Sequence, residues 1–94
     1  MLTSADIGTT AFTITRFLEG YEMTEVDALL EAVRSTLAGF ERPTILGDGP
    51  AMTAFEVVNA RFQPTKFRSG YKQDEVDIFL DRVVEALRTH EATR

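Results

Sequence analysis

The sequence predicts a mainly α-helical fold made of two tandem repeats, each a short helix, an extended loop and a long helix. Three observations carry this. Residues 12–37 return as residues 62–87 without a gap, the long segments place apolar residues at helical spacing, and the same helix-start signals precede the short helix in both copies. Phe12/Phe62, Phe17/Phe67, Gly20/Gly70, Tyr21/Tyr71, Glu25/Glu75, Val26/Val76 and Asp27/Asp77 are identical pairs set fifty residues apart. A unit of this length present twice is a duplicated supersecondary element, and each copy needs the other to cover its apolar face. The 94 residues then form one domain: repeat 1 over 1–38, a linker over 39–51 and repeat 2 over 52–94.

The short helices start at Thr3 with Asp6, and at Thr53 with Glu56, an N-cap hydroxyl followed three residues later by a carboxylate. This is a capping box, with Asp the weaker partner of the two. Leu2 with Ile7, and Met52 with Val57, stand where a hydrophobic staple lies. Segments 12–18 and 62–68 are rich in Thr and aromatics and read as extended. Pro64 confines any pairing there to a sheet edge. Gly20 and Gly70 turn the chain at positive φ ahead of the tyrosines.

The long helices are expected near 23–38 and 73–90, beginning near Thr24 and Asp74. Asp27 and Asp77 stand in the first turn, where acids favour the helix dipole. Their apolar residues are Val26, Leu30, Val33 and Leu37, and Val76, Leu80, Val83 and Leu87. That 4-3-4 spacing is a coiled-coil seam, widened by Leu29 in one copy and by Phe79 and Val84 in the other. Gly39 is a natural stop for the first helix, whereas the second has none and frays from Thr89. The linker offers Phe40, Ile45 and Leu46 to the core. The long helices are expected to pack as a coiled-coil-like pair about an intrachain pseudo-two-fold. Thirteen linker residues reach ~43 Å when extended, against ~24 Å for a return along a 16-residue helix, which favours a parallel pair. An antiparallel pair, or pairing with the same repeat of another chain as a homodimer, is the alternative.

Forty-four percent apolar and 27% charged residues make an ordinary globular balance. The absence of Cys excludes disulfides and thiolate metal sites and fits a reducing cytoplasm. No apolar run approaches the ~20 residues of a membrane span, and no signal-peptide pattern opens the chain, so a cytoplasmic location is expected. The net charge is −5, which opposes nucleic-acid binding. Charge differs between the loops: Arg61, Lys66, Arg68 and Lys72 stand without an acid in 61–72, whereas Arg16 faces Glu19 and Glu22 in 11–22.

No residue set points to catalysis, a metal or a cofactor. Glu25 and Asp27, like Glu75 and Asp77, are two apart on a helix, point to different sides and read as helix-start acids. His90 has no candidate partner, and the isolated Gly20 and Gly70 form no phosphate-cradling loop. Phe62 and Phe67, among cations, read either as core or as apolar anchors for an anionic surface, where each nearby cation adds ~1 kcal/mol.

The order Leu2-Thr3-x-x-Asp6-Ile7, then Phe67-Arg68-Ser69-Gly70-Tyr71, then Asp74-Glu75-Val76-Asp77-Ile78-Phe79-Leu80-Asp81 resembles the N-terminal domain of DivIVA, a bacterial cell-division and polar-growth scaffold. With both copies counted, the resemblance covers most of the chain outside the linker. It implies a parallel two-chain coiled coil whose N-terminal loops interlace and present an exposed Phe-Arg pair to curved membrane. Those positions fall on Phe67 and Arg68, and in the first copy on Phe17 and Leu18. Leu18 replaces the Arg, Glu19 and Ser69 are extra residues beside the better-known Phe-Arg-Gly-Tyr form, and the family's long C-terminal coiled coil is missing. The expected function is a non-enzymatic interaction or scaffold-adaptor module of cell division or polar growth, with protein partners. The alternative is a peripheral membrane module at the inner face of the cell membrane, acting through Phe67, Arg68, Lys66, Arg61 and Lys72.

Overall fold

Both capping boxes form. Thr3 caps α1 (Ser4–Thr9) and Thr53 caps α3 (Ala54–Val58), with reciprocal bonds to Asp6 and Glu56. The two boxes differ in balance: the N3 N–H lies 3.4 Å from the Thr3 hydroxyl against 3.1 Å from Thr53, while the return bond from the N-cap N–H is 3.0 Å to Asp6 against 3.2 Å to Glu56. The computed structural model describes residues 1–42 and 52–93. Over them the chain is mainly helical, with four helices and a small antiparallel sheet. Ile45 and Leu46 lie outside the described residues.

The sheet has four short strands, β1 (Ile14–Thr15), β2 (Gly20–Tyr21), β3 (Pro64–Thr65) and β4 (Gly70–Lys72). Their order is β1-β4-β2-β3, all antiparallel, so each loop is threaded between the strands of the other. Pro64 sits in an edge strand, where its missing N–H costs no ladder bond. Ile14 and Thr15 pair with Tyr71 and Gly70, while Pro64 and Thr65 pair with Tyr21 and Gly20, the same register with the copies exchanged.

The long helices are α2 (Met23–Glu41) and α4 (Gln73–Ala92). They start at 23 and 73, as expected from the sequence; Glu22 and Lys72 are the N-caps, and neither makes a side-chain cap bond. The sheet instead holds the N-cap residues themselves. The Glu22 N–H donates to Gln63 O and the Lys72 N–H to Thr13 O, each at 2.9 Å, and this pins the backbone where helix begins.

Both helices end later than expected. Gly39 lies inside α2, because Glu41 beyond it accepts the Ser4 N–H and hydroxyl at 2.8 and 2.7 Å. In α4, Glu91 accepts the Ala54 N–H at 2.9 Å and His90 stacks on Phe40 at 4.7 Å, so the helix holds through Ala92 rather than fraying from Thr89. Helix ends follow tertiary partners here, not local stop signals.

The two long helices run in the same direction. Their first turns both leave the sheet, and their last turns meet at the Phe40–His90 stack. The result is a rod of 47 × 21 × 21 Å with the interlaced loops at one end. Each short helix runs back along its own long helix, as the Ser4–Glu41 and Ala54–Glu91 bonds require. α3 and the extended segment after it therefore make the return that the sequence assigns to the linker. Met52 is tied to Thr36 at 2.8 Å, already at the far end of the rod.

One core runs down the axis. Val26, Val33, Leu37, Val76, Val83 and Leu87 are fully buried and Leu30 nearly so, joined by Leu2, Ile7, Ala54 and Val57 from the short helices. Leu80 is the departure: it is half-buried, and Phe79 takes the buried position beside it. Phe12 explains the swap, its ring meeting Phe79 edge-on at 5.7 Å. The buried stripe of α4 is thus Val76-Phe79-Val83-Ala86-Leu87, which keeps three of the four expected seam residues and puts Phe79 in place of Leu80.

Candidate functional site at the interlaced loops

The crossing of the loops is set by absent side chains. A Cβ on Gly20 would come within 2.8 Å of Tyr71 O, and one on Gly70 would collide with Thr65 Oγ1 and reach within 3.0 Å of Tyr21 O. Neither glycine is in the left-handed region expected from the sequence; both are strand residues needed for close backbone approach. The one described non-glycine residue at positive φ is Phe67, at 62°.

Four carboxylates clamp the crossing, and each one holds the opposite repeat. Glu25 accepts the Gln63 N–H at 2.7 Å and Glu75 accepts the Thr13 N–H at 2.8 Å. Asp27 accepts the Tyr71 hydroxyl at 2.7 Å and Asp77 the Tyr21 hydroxyl at 2.8 Å. The Glu-Val-Asp triplet therefore has a meaning beyond helix starting: the acids grip the partner loop and the valine between them is fully buried. The available signal was the identity of these exposed acids in both copies, which the helix dipole alone does not demand. Thr13 holds the Glu75 carboxyl below its usual range. Burial first, and then the Asp bonds, push both tyrosines up to about 12.

Phe12 and Phe62 are structural, their rings at 5.3 Å from Tyr71 and 5.2 Å from Tyr21. Phe17 and Phe67 are not, being 79% and 77% exposed, and Leu18 is exposed beside the first. The five cation-loop residues named from the sequence are not one patch of free charge. Arg68 pairs with Glu22 of the first repeat at 2.5 Å, and this holds the Glu22 carboxyl low. Lys66 lies over the Phe67 ring at 5.6 Å. Arg61 donates to the Val58 and Ala60 carbonyls, and Lys72 is half-buried at the start of α4.

Among the described residues no group of three or more His, Cys, Asp or Glu side chains is placed to hold a metal ion. None of the described helices is long and apolar enough to cross a membrane. No family model matches this chain, and neither a curated protein nor a solved structure is significantly similar to it.

Proposed function

We propose that this chain is a DivIVA-like, non-enzymatic interaction or scaffold-adaptor module associated with bacterial cell division or polar growth. In this reading its two repeats imitate, about an intrachain pseudo-two-fold, the family's two-chain dimer, with α2 and α4 as the coiled-coil-like pair. The strand order β1-β4-β2-β3 carries the reading, because only two units exchanging loops produce it. The matched Glu25/Glu75 and Asp27/Asp77 clamps support it, as does the common direction of α2 and α4. A single chain that completes its own loop exchange is a ready-made end piece: it presents the interlaced loops without needing a second copy.

The structural half is tested by sedimentation at ~1 μM with Cys placed at Thr13 and Glu75. A monomer that cross-links within itself is expected, and a disulfide-linked dimer sinks the intrachain imitation. The biological half needs a pull-down from native cells. Division or polar-growth proteins retained by wild type, and lost on Tyr21→Phe/Tyr71→Phe, are the expected result; recovery of none of them counts against the module.

A second reading is a peripheral membrane module, favoured by Phe17, Leu18 and Phe67 standing exposed at one end of the rod. The Glu22–Arg68 pair limits its electrostatic part, so attachment would be weak and salt-sensitive. Cosedimentation with anionic liposomes decides it: binding must fall for Phe67→Ala/Arg68→Ala and again on adding Phe17→Ala/Leu18→Ala. Retention that ignores all four substitutions dismisses the tips as anchors.

A further inference from the structure

We infer that the outer face of the second repeat, between α3 and α4, is a self-association surface on which a second copy of this chain docks about a true two-fold axis. The surface is apolar where its counterpart is not. Phe55 is 75% and Val58 48% exposed. Three apart, they share one face of α3. Beside them a groove of about 610 Å³ runs along α4, lined by Val58, Asp81, Val84, Glu85, Arg88 and Thr89 among others. In the first repeat the matching positions are Ala5, Gly8 and Arg34, and Arg34 is closed off by its own pair with Glu31 at 2.6 Å. Duplication gave both faces the same start, and only one now shows large apolar side chains.

Charge says what covers it. Asp81 and Arg88 stand seven residues, two helical turns, apart on α4. Neither is in an ion pair among the described residues. Two copies of α4 packed antiparallel, centred between Val84 and Glu85, bring Asp81 of each opposite Arg88 of the other. Asp81 and Arg88, equidistant from the centre, give an isologous dimer two matched pairs, against which the two Glu85 carboxylates near the axis repel each other and weaken it. Phe55 and Val58 of each copy then cover the apolar strip of the other. The strip from Leu80 to Ala92 is ~18 Å long on a rod 21 Å wide, roughly half of the ~800 Å² per partner of a stable interface. The dimer is accordingly weak, with Kd ~100 μM. It does not depend on the family reading and leaves the interlaced loops free.

Sedimentation velocity on the full chain from ~1 to ~500 μM reads this out. Wild type should pass from monomer to dimer without larger species. Asp81→Arg and Arg88→Asp should each raise Kd at least ~10-fold, since each opposes like charges. Their equimolar mixture should return to within about threefold of wild type, because in a mixed pair both contacts are complementary again. Phe55→Ser/Val58→Ser should remain monomeric throughout, with circular dichroism confirming the fold; if that variant unfolds, the charge mixture alone decides. A wild type monomeric at ~500 μM, a mixture no tighter than either variant, or a dimer indifferent to all of these substitutions overturns the proposal.

Discussion

The two repeats agree along most of the core, Phe79 against Leu29 being the main exception, and differ outside. Val26/Val76, Val33/Val83 and Leu37/Leu87 are all fully buried, and the clamps on the two sides differ by only 0.1 Å. The exteriors have separated. One tip carries Arg16-Phe17-Leu18-Glu19 and the other Lys66-Phe67-Arg68-Ser69, while α1 shows Ala5 and Gly8 where α3 shows Phe55 and Val58. Each interior position is constrained by its neighbours in the shared core, since a volume change at one must be met by the others. A surface position answers only to solvent or to a partner. The differences between the copies are therefore where interaction should be sought.

The largest effects test the shared interior. Leu37→Ala and Leu87→Ala should each cost ~2–5 kcal/mol, with values close to one another. Where α4 departs from the expected seam, Phe79→Ala should cost ~3–5 kcal/mol and exceed Leu80→Ala. Denaturant unfolding that finds Leu80→Ala the more damaging would restore the simple heptad seam. Next come the crossing glycines. Gly20→Ala and Gly70→Ala should each lose ~1–3 kcal/mol by overpacking, with Gly70→Ala the worse because its Cβ would overlap Thr65 Oγ1 outright, whereas the closest approach at Gly20 is 2.8 Å, to Tyr71 O.

The tyrosine clamps set an alkaline limit. Both hydroxyls are raised from 10.0 to about 12 in the folded chain. The folded state thus holds these protons more tightly than the unfolded one. Their contribution is complete below pH 10 and is lost as pH rises toward 12. Thermal unfolding across that window should show a falling melting temperature, and the fall should be shallower for Tyr21→Phe/Tyr71→Phe. Equal slopes would mean the hydroxyls do not couple the repeats.

Two smaller experiments separate the loops. Thr65 Oγ1 is buried without a hydrogen-bond partner, whereas Thr15 Oγ1 accepts the Leu18 N–H at 3.3 Å. Thr65→Val should gain ~1 kcal/mol and Thr15→Val should lose ~0.5 kcal/mol. The smallest shift belongs to the tips. Phe67 alone holds a left-handed backbone, so Phe67→Asn should stabilise by ~0.5 kcal/mol while Phe17→Asn should not. Equal responses would remove the backbone distinction between the tips.

The sequence by itself determined the repeat, the capping boxes, the edge position of Pro64 and nearly all of the buried stripe. Each of these is a local or periodic signal: a cap needs residues three apart, a strand edge needs one proline, a helix face needs a 3.6-residue period. The tertiary structure alone decided where the long helices end, the work of Gly20 and Gly70 and the targets of the Glu-Val-Asp carboxylates. Gly39 signals a stop that the Glu41–Ser4 contact overrides, and Gly70 looks like a turn residue until Thr65 and Tyr21 of the crossing strands are seen against it. Glu75 and Asp77 bind groups 62 and 56 residues away. No local rule reaches that far, because the partner of a carboxylate is chosen by which chain segment the fold carries past it.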